Sequence, residues 1–98
     1  MYKITKESVD AFLQGQDFKK ANMEVSGVCR KAMYLHGNKI AWFDNKNQLW
    51  ISNCGWWSNT TKERLNALPN VKVVQRKHIW YLNGERWDGR PICIGRVN

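Results

Sequence analysis

Residues 55–89, GWWSNTTKERLNALPNVKVVQRKHIWYLNGERWDG, decide the fold. Thr60 followed three residues later by Glu63 is a capping box, in which each side chain satisfies the other residue's free backbone N–H, so a helix is predicted to open at Thr60. Leu65 and Leu68 fall on one face of it, and Pro69 stops it. Two turns are too short to hold in water alone, so this helix needs a sheet to pack on. The sheet follows at once. VKVVQ (71–75) and HIWYL (78–82) flank Arg76-Lys77, and HIWYL meets ERW (85–87) across Asn83-Gly84, the strongest short hairpin signal in the chain. Alternation along these strands predicts Val71, Val73, Trp80, Leu82 and Trp87 on a core face, with Lys72, Val74, Ile79, Tyr81 and Arg86 facing outward.

Toward the N-terminus the same logic predicts a meander. AMYLH (32–36) and KIAWF (39–43) flank Gly37-Asn38, and QLWIS (48–52) follows a four-residue loop, Asp44 to Asn47. Placing His36 opposite Lys39 and Phe43 opposite Gln48 collects Met33, Leu35, Ile40, Trp42, Leu49 and Ile51 on a core face. The other face then carries Tyr34, His36, Lys39, Ala41, Phe43, Gln48, Trp50 and Ser52. A slip of one residue at either turn would exchange the two sets.

The rest is simpler. Residues 5–14 predict a short amphipathic helix capped by Thr5, with Val9, Phe12 and Leu13 on one face and Gly15 ending it. Residues 16–24 are polar and predict a loop, and Val25 to Val28 a short strand weakened by Gly27. Pro91 opens a last edge strand in PICIGRV (91–97), with Ile92 and Ile94 inward. Together these elements predict one α+β domain over residues 1–98, an antiparallel meander with a short N-terminal and a short central helix packed on one face.

Composition narrows the function classes. Sixteen Lys+Arg against eight Asp+Glu leave a net charge of +8, a field that favours polyanions. Six tryptophans in 98 residues are more than so small a core can bury. The N-terminus shows no apolar signal region and no run approaches a membrane span, so a cytosolic protein without membrane contact is expected. Cys29, Cys54 and Cys93 are odd in number and lack C-x-x-C spacing, which points away from a disulfide scaffold and toward small buried apolar side chains. With His36 and His78 they are too scattered for a zinc module, so neither metal nor cofactor is expected. No paired carboxylates, phosphate loop or nucleophile motif is present, and an enzyme is not expected.

The candidate chemistry is nucleic-acid binding. Bases stack on aromatic rings of an open strand face while cations hold the phosphates. Tyr34, Phe43, Trp50 and Tyr81 supply the rings, and Lys39, Lys72, Arg76, Lys77 and Arg86 the charges. A competing expectation is that the N-terminal helix or residues 16–31 cover this face and make it a second core. Thr60, Thr61 and Lys62 form a candidate anion site at the helix N-terminus, against the simpler reading of an ordinary cap.

Leu35-His36-Gly37-Asn38-Lys39-Ile40-Ala41, Gly55-Trp56, Thr60-Thr61-Lys62-Glu63-Arg64-Leu65-Asn66 and Trp80-Tyr81-Leu82-Asn83-Gly84 resemble a recurrent group of small proteins of tailed bacteriophages and prophages. The likeness runs from residue 12 to residue 89 and leaves the tail 90–98 unmatched. It implies the setting of a phage-infected or lysogenic bacterial cytoplasm, and carries over no activity and no site residues. In that setting the chain is expected to bind nucleic acid as a small accessory protein. The alternative is an inhibitor or modulator that binds a host polymerase, nuclease or defence complex, since Trp and Arg also anchor protein interfaces. A virion structural part would instead form stable oligomers.

Overall fold

The computed structural model describes residues 2–97. In chain order it runs α1 (Lys3–Gln14), β1 (Phe18–Lys20), β2 (Met23–Ser26), β3 (Ala32–Leu35), β4 (Asn38–Phe43) and β5 (Leu49–Ile51), then α2 (Asn59–Asn66), β6 (Val73–Arg76), β7 (Ile79–Leu82), β8 (Glu85–Arg86) and β9 (Ile92–Gly95). All strand pairs are antiparallel, in a six-stranded sheet ordered β1-β2-β3-β4-β5-β9 and a three-stranded sheet ordered β6-β7-β8. The predicted α+β class holds. The polar stretch expected as a loop instead supplies β1 and the start of β2, which pair with each other at the sheet edge. Only β2 finds a further partner, in β3.

One core row crosses all six strands of the larger sheet: Phe18, Val25, Met33, Ala41, Ile51 and Ile92 lie in register. Ile92 thus points the way predicted, but at the edge it stays 38% exposed. Helix α1 covers this face through Val9 and Phe12, and Phe12 stacks on Phe43 at 4.9 Å between ring centroids. Leu13, expected on the same face, is 41% exposed. Helix α2 contributes Leu65, and Leu68 follows it into the same core, which continues through Val71, Val73, Trp80, Leu82 and Trp87. Every residue predicted for the core face of the second hairpin is buried there.

The two helices are tied by a buried polar cluster. Helix α1 starts at Lys3, two residues before the expected position, so Thr5 caps nothing and is fully buried. Its Oγ1 donates to Glu63 Oε1 at 2.6 Å and accepts from Arg64 Nη1 at 2.8 Å. Arg64 is buried, pairs with Glu63, reaches Asn22 Oδ1 through Nη2 at 3.3 Å and lies over the Tyr2 ring. Glu63 is therefore not half of a capping box. The N-cap is Ser58, whose Oγ accepts from the Thr61 N–H at 3.1 Å.

Candidate nucleic-acid interface

Three turns decide which side chains face outward. The β3–β4 turn is His36-Gly37 rather than Gly37-Asn38, with φ of 51° and 79°, the doubly positive geometry of a tight hairpin. Leu35 pairs with Asn38 and Tyr34 with Lys39, then the register shifts so that Met33 meets Ala41 and Ile40 is the extra residue of a bulge. The β4–β5 loop is three residues long, not four. Asp44 and Gln48 close it with a 3.0 Å backbone bond, and Asn47 takes the left-handed position at φ 59°. Phe43 therefore pairs with Leu49, and Trp42 with Trp50. Bulge and shorter loop together move the end of β4 by one residue, so Trp42 and Phe43 exchange the faces predicted for them.

The outer face of the larger sheet carries two rows. Lys19, Glu24, Tyr34 and Lys39 lie in register across β1 to β4, and Ser26, Ala32, Trp42, Trp50 and Cys93 across β2 to β5 and β9. Tyr34, Trp42 and Trp50 are half-buried and stand outside the hydrophobic core, while helix α1 packs on the opposite side. Trp42 and Trp50 stack with centroids 6.4 Å apart, and Lys39 Nζ lies 4.9 Å over the Trp42 ring. Asp44 sets the pose of Trp50. Its Oδ2 accepts from Trp50 Nε1 at 2.8 Å and its Oδ1 from the N–H groups of Lys46 and Gln48. The Trp50 bond, backed by those two, holds the Asp44 carboxyl below its ordinary range. Of the predicted rings, Tyr34 and Trp50 share this face. Phe43 does not, and Trp42, assigned to the core by the sequence, takes its place.

Arg76, Tyr81 and Arg86 lie on the three-stranded sheet, with Lys72 just before β6 and Lys77 in the β6–β7 turn. Tyr81 lies between Val74 and Arg86, and Arg76 opposite Ile79. The turn between β6 and β7 is Lys77-His78, not Arg76-Lys77, which moves the register by two and keeps every face as predicted. All four cations are exposed, and none has an ion-pair partner among the described residues. The predicted residues thus form two patches, one aromatic and one cationic, on different sheets.

The predicted anion site is not assembled. Thr61 is buried with its hydroxyl bonded to Ser58 and its N–H already capped, and Lys62 reaches away to Gln75 Oε1 at 2.6 Å and over the Trp80 ring. Thr60 and Thr61 both border one cleft, while Lys62 is turned away from it. The cysteines are not small core side chains either: Cys29 and Cys54 are exposed, and Cys93 is half-buried. Among the described residues no group of three His, Cys, Asp or Glu is placed to hold a metal ion. No described helix is long and apolar enough to cross a membrane.

Sequence reasoning weighed the loop before α2 only as a helix start that could hold an anion, and left Trp56 and Trp57 out of the predicted site. Trp56 and Trp57 are 57% and 54% exposed, and Trp57 meets Trp80 edge-on at 5.0 Å. Trp56 borders a cleft of about 260 Å³ with Leu35, His36, Ile40, Asn53 and Thr60. The signal was an adjacent pair of tryptophans in a chain too small to bury six.

No curated protein and no solved structure matches the chain. A family model described as the Kyanoviridae Gp96 protein matches residues 1–97, and so includes the tail that the sequence resemblance left out. The chain belongs to this phage protein family.

Proposed function

We propose that the chain is a small, non-enzymatic nucleic-acid-binding accessory protein acting in the cytoplasm of the infected bacterium. The observation that carries this is the outer face of the six-stranded sheet. Tyr34, Trp42 and Trp50 stand outside the core, with Lys39 over one ring. Rings on an open strand face accept bases of any sequence, at about 1–3 kcal/mol per stacked base. The exposed cations Lys72, Arg76, Lys77 and Arg86 on and beside the second sheet, without ion-pair partners among the described residues, supply a sequence-independent hold on phosphates.

Fluorescence anisotropy of labelled single-stranded DNA, single-stranded RNA and duplex DNA, at low and physiological salt, tests it. Micromolar or tighter binding that survives physiological salt and prefers one strand type supports the reading. Charge reversal at Lys72 and Arg86 should weaken binding and flatten the salt dependence by about 0.7 in log–log slope per lost contact. Binding that vanishes with salt, or has no strand preference, sinks it. The second reading, a host-protein modulator, draws on one observation. A groove of about 650 Å³ lined by Phe12, Phe43 and Pro69 carries the exposed Leu13 and Val28 at its edge. Pull-down from host lysate is its test.

A further inference from the structure

We infer that the β6–β7 ribbon docks in the major groove of duplex DNA, an inference that rests on the nucleic-acid reading but not on the tryptophan platform. Cross-strand pairing fixes which side chains share the ribbon's outer face. Val74 pairs with Tyr81 and Tyr81 with Arg86, while Arg76 pairs with Ile79, so all five point one way. Val73, Trp80 and Leu82 point the other way, into the core. Val74, Ile79 and Tyr81 are only half-buried and lie outside that core. Helix α2 holds the inner side. Asn66 bonds both backbone groups of Val73, at 2.6 and 2.9 Å, and Leu65 joins Trp80 in the core. Every residue from Gln75 to His78 is exposed, so the hairpin tip is open to solvent.

The charge on this face has one sign. Arg76 and Arg86 lie on it, and Lys72 and Lys77 stand at the two ends of β6, none with an ion-pair partner among the described residues. Glu85, the one acid between residues 71 and 86, pairs with Leu82 and so belongs to the opposite face. Asn83 fixes Lys72 in place: its N–H donates to the Lys72 carbonyl at 2.8 Å, and its Oδ1 accepts from the Lys72 N–H at 2.9 Å. From Lys72 to Arg76 the strand runs about 14 Å, against a major groove about 12 Å wide that admits a two-stranded ribbon. Cations at both ends therefore reach phosphates on both walls. Between them the Arg76 and Arg86 forks suit the paired acceptors of guanine, and Val74 and Ile79 suit the thymine methyl. A single strand finds less here, because Tyr81 is the one aromatic side chain among the five and stacking wants several. Duplex RNA finds less still, because its A-form major groove is too narrow for side chains to read.

The test is fluorescence anisotropy of labelled duplex DNA, duplex RNA of the same sequence and single-stranded DNA, with co-sedimentation on phosphatidylserine vesicles beside it. Wild type should bind duplex DNA more tightly than single-stranded DNA, and about tenfold or more above duplex RNA. Lys72→Gln with Lys77→Gln should lower the duplex-DNA salt slope by about 0.9 in log–log terms for each lost contact. Removing the same two charges elsewhere, as Lys3→Gln with Lys46→Gln, should leave that slope near the wild-type value. Arg86→Ala should lose about fivefold or more on duplex DNA, the worth of one forked base contact. All five side chains are exposed, so an unchanged thermal melt confirms that the variants fold. Equal affinity for duplex DNA and duplex RNA, or equal effects of the two double variants, overturns the ribbon. Single-strand binding without duplex binding overturns the ribbon and leaves the platform standing. Absence of binding to all three nucleic acids overturns both. Vesicle binding that Lys72→Gln with Lys77→Gln abolishes, without duplex-DNA binding, assigns the face to an anionic lipid surface and overturns the inference.

Discussion

Alanine at Phe43 and alanine at Trp42 should have opposite consequences for stability and for binding, although the two residues are neighbours on one strand. Phe43 faces the core, pairs across strands with Leu49 and stacks on Phe12 at 4.9 Å. Truncating a fully buried Phe costs about 3–5 kcal/mol, and Phe43 is only half-buried, so Phe43→Ala should cost about 2–3 kcal/mol. Trp42 is larger but stands outside the core. Its removal forfeits an offset stack on Trp50 and a cation–π contact with Lys39, together about 1 kcal/mol beyond the area its half-buried ring covers, but it leaves no cavity in the core, as Phe43→Ala does. For a domain of this size about 1 kcal/mol moves the melting temperature by about 4–8 °C, and the cavity left in the core should make Phe43→Ala the lower-melting of the two. Urea unfolding followed by far-UV circular dichroism, with unchanged m-values, would give the same ranking. In anisotropy with single-stranded DNA the order should reverse, with Trp42→Ala losing affinity and folded Phe43→Ala retaining it. A Trp42→Ala variant less stable than Phe43→Ala would refute the reasoning, because it would mean that Trp42 faces the core and the three-residue loop is misplaced.

Three further outcomes follow from other parts of the structure. Arg64→Ala leaves Glu63 without its buried partner and unties α1 from α2, and should cost about 3 kcal/mol by chemical denaturation. Arg64→Met, which keeps the length and removes a guanidinium whose Nε has no partner among the described residues, should cost less. Stability should fall in acid. Burial alone would raise the Glu63 pKa, but its bonds from Thr5, Arg64 and the Tyr2 N–H outweigh burial and depress it. A carboxyl depressed in the folded state contributes stability above its unfolded value of about 4.3, and the contribution is lost as pH falls through the folded value. Melting temperature should therefore hold between pH 7 and 5 and drop below about pH 4, and Glu63→Gln should blunt that drop while lowering stability at neutral pH. Gly89→Ala should destabilise by about 2–4 kcal/mol, since φ of 84° disfavours a side chain and the new Cβ would strike the Asn53 amide. A wild-type melt for that variant would show that Gly89 does not press on that amide.

The reach of the sequence differs between the two halves of the chain for a physical reason. Side chains on a strand alternate with period two, so an error of two in register is harmless and an error of one inverts a face. In the second hairpin the turn moved from Arg76-Lys77 to Lys77-His78, the register changed by two, and Val73, Trp80 and Leu82 stayed inside with Tyr81 and Arg86 outside. In the first, a loop one residue shorter than read and a bulge at Ile40 changed it by one, and Trp42 and Phe43 changed places. Nothing local marks that bulge. It lets both Ile40 and Ala41 be buried, a choice made by packing against the rest of the sheet.

Hydrophobic alternation, the Asn83-Gly84 turn and the helix stops at Gly15 and Pro69 were enough to establish the α+β class, both helices, both hairpins and the basic, tryptophan-rich surface, because each depends on residues a few positions apart. Tertiary structure alone decided the remainder. It recruited residues 18–20 to the sheet edge, turned Thr5 and Glu63 from expected caps into a buried bridge through Arg64, and split the predicted site into an aromatic and a cationic patch. It also set Asn53 and Trp56 around a cleft shared with Leu35 and Ile40. These arrangements join groups far apart in the chain, and their energies arise only once long-range packing has excluded water from between them.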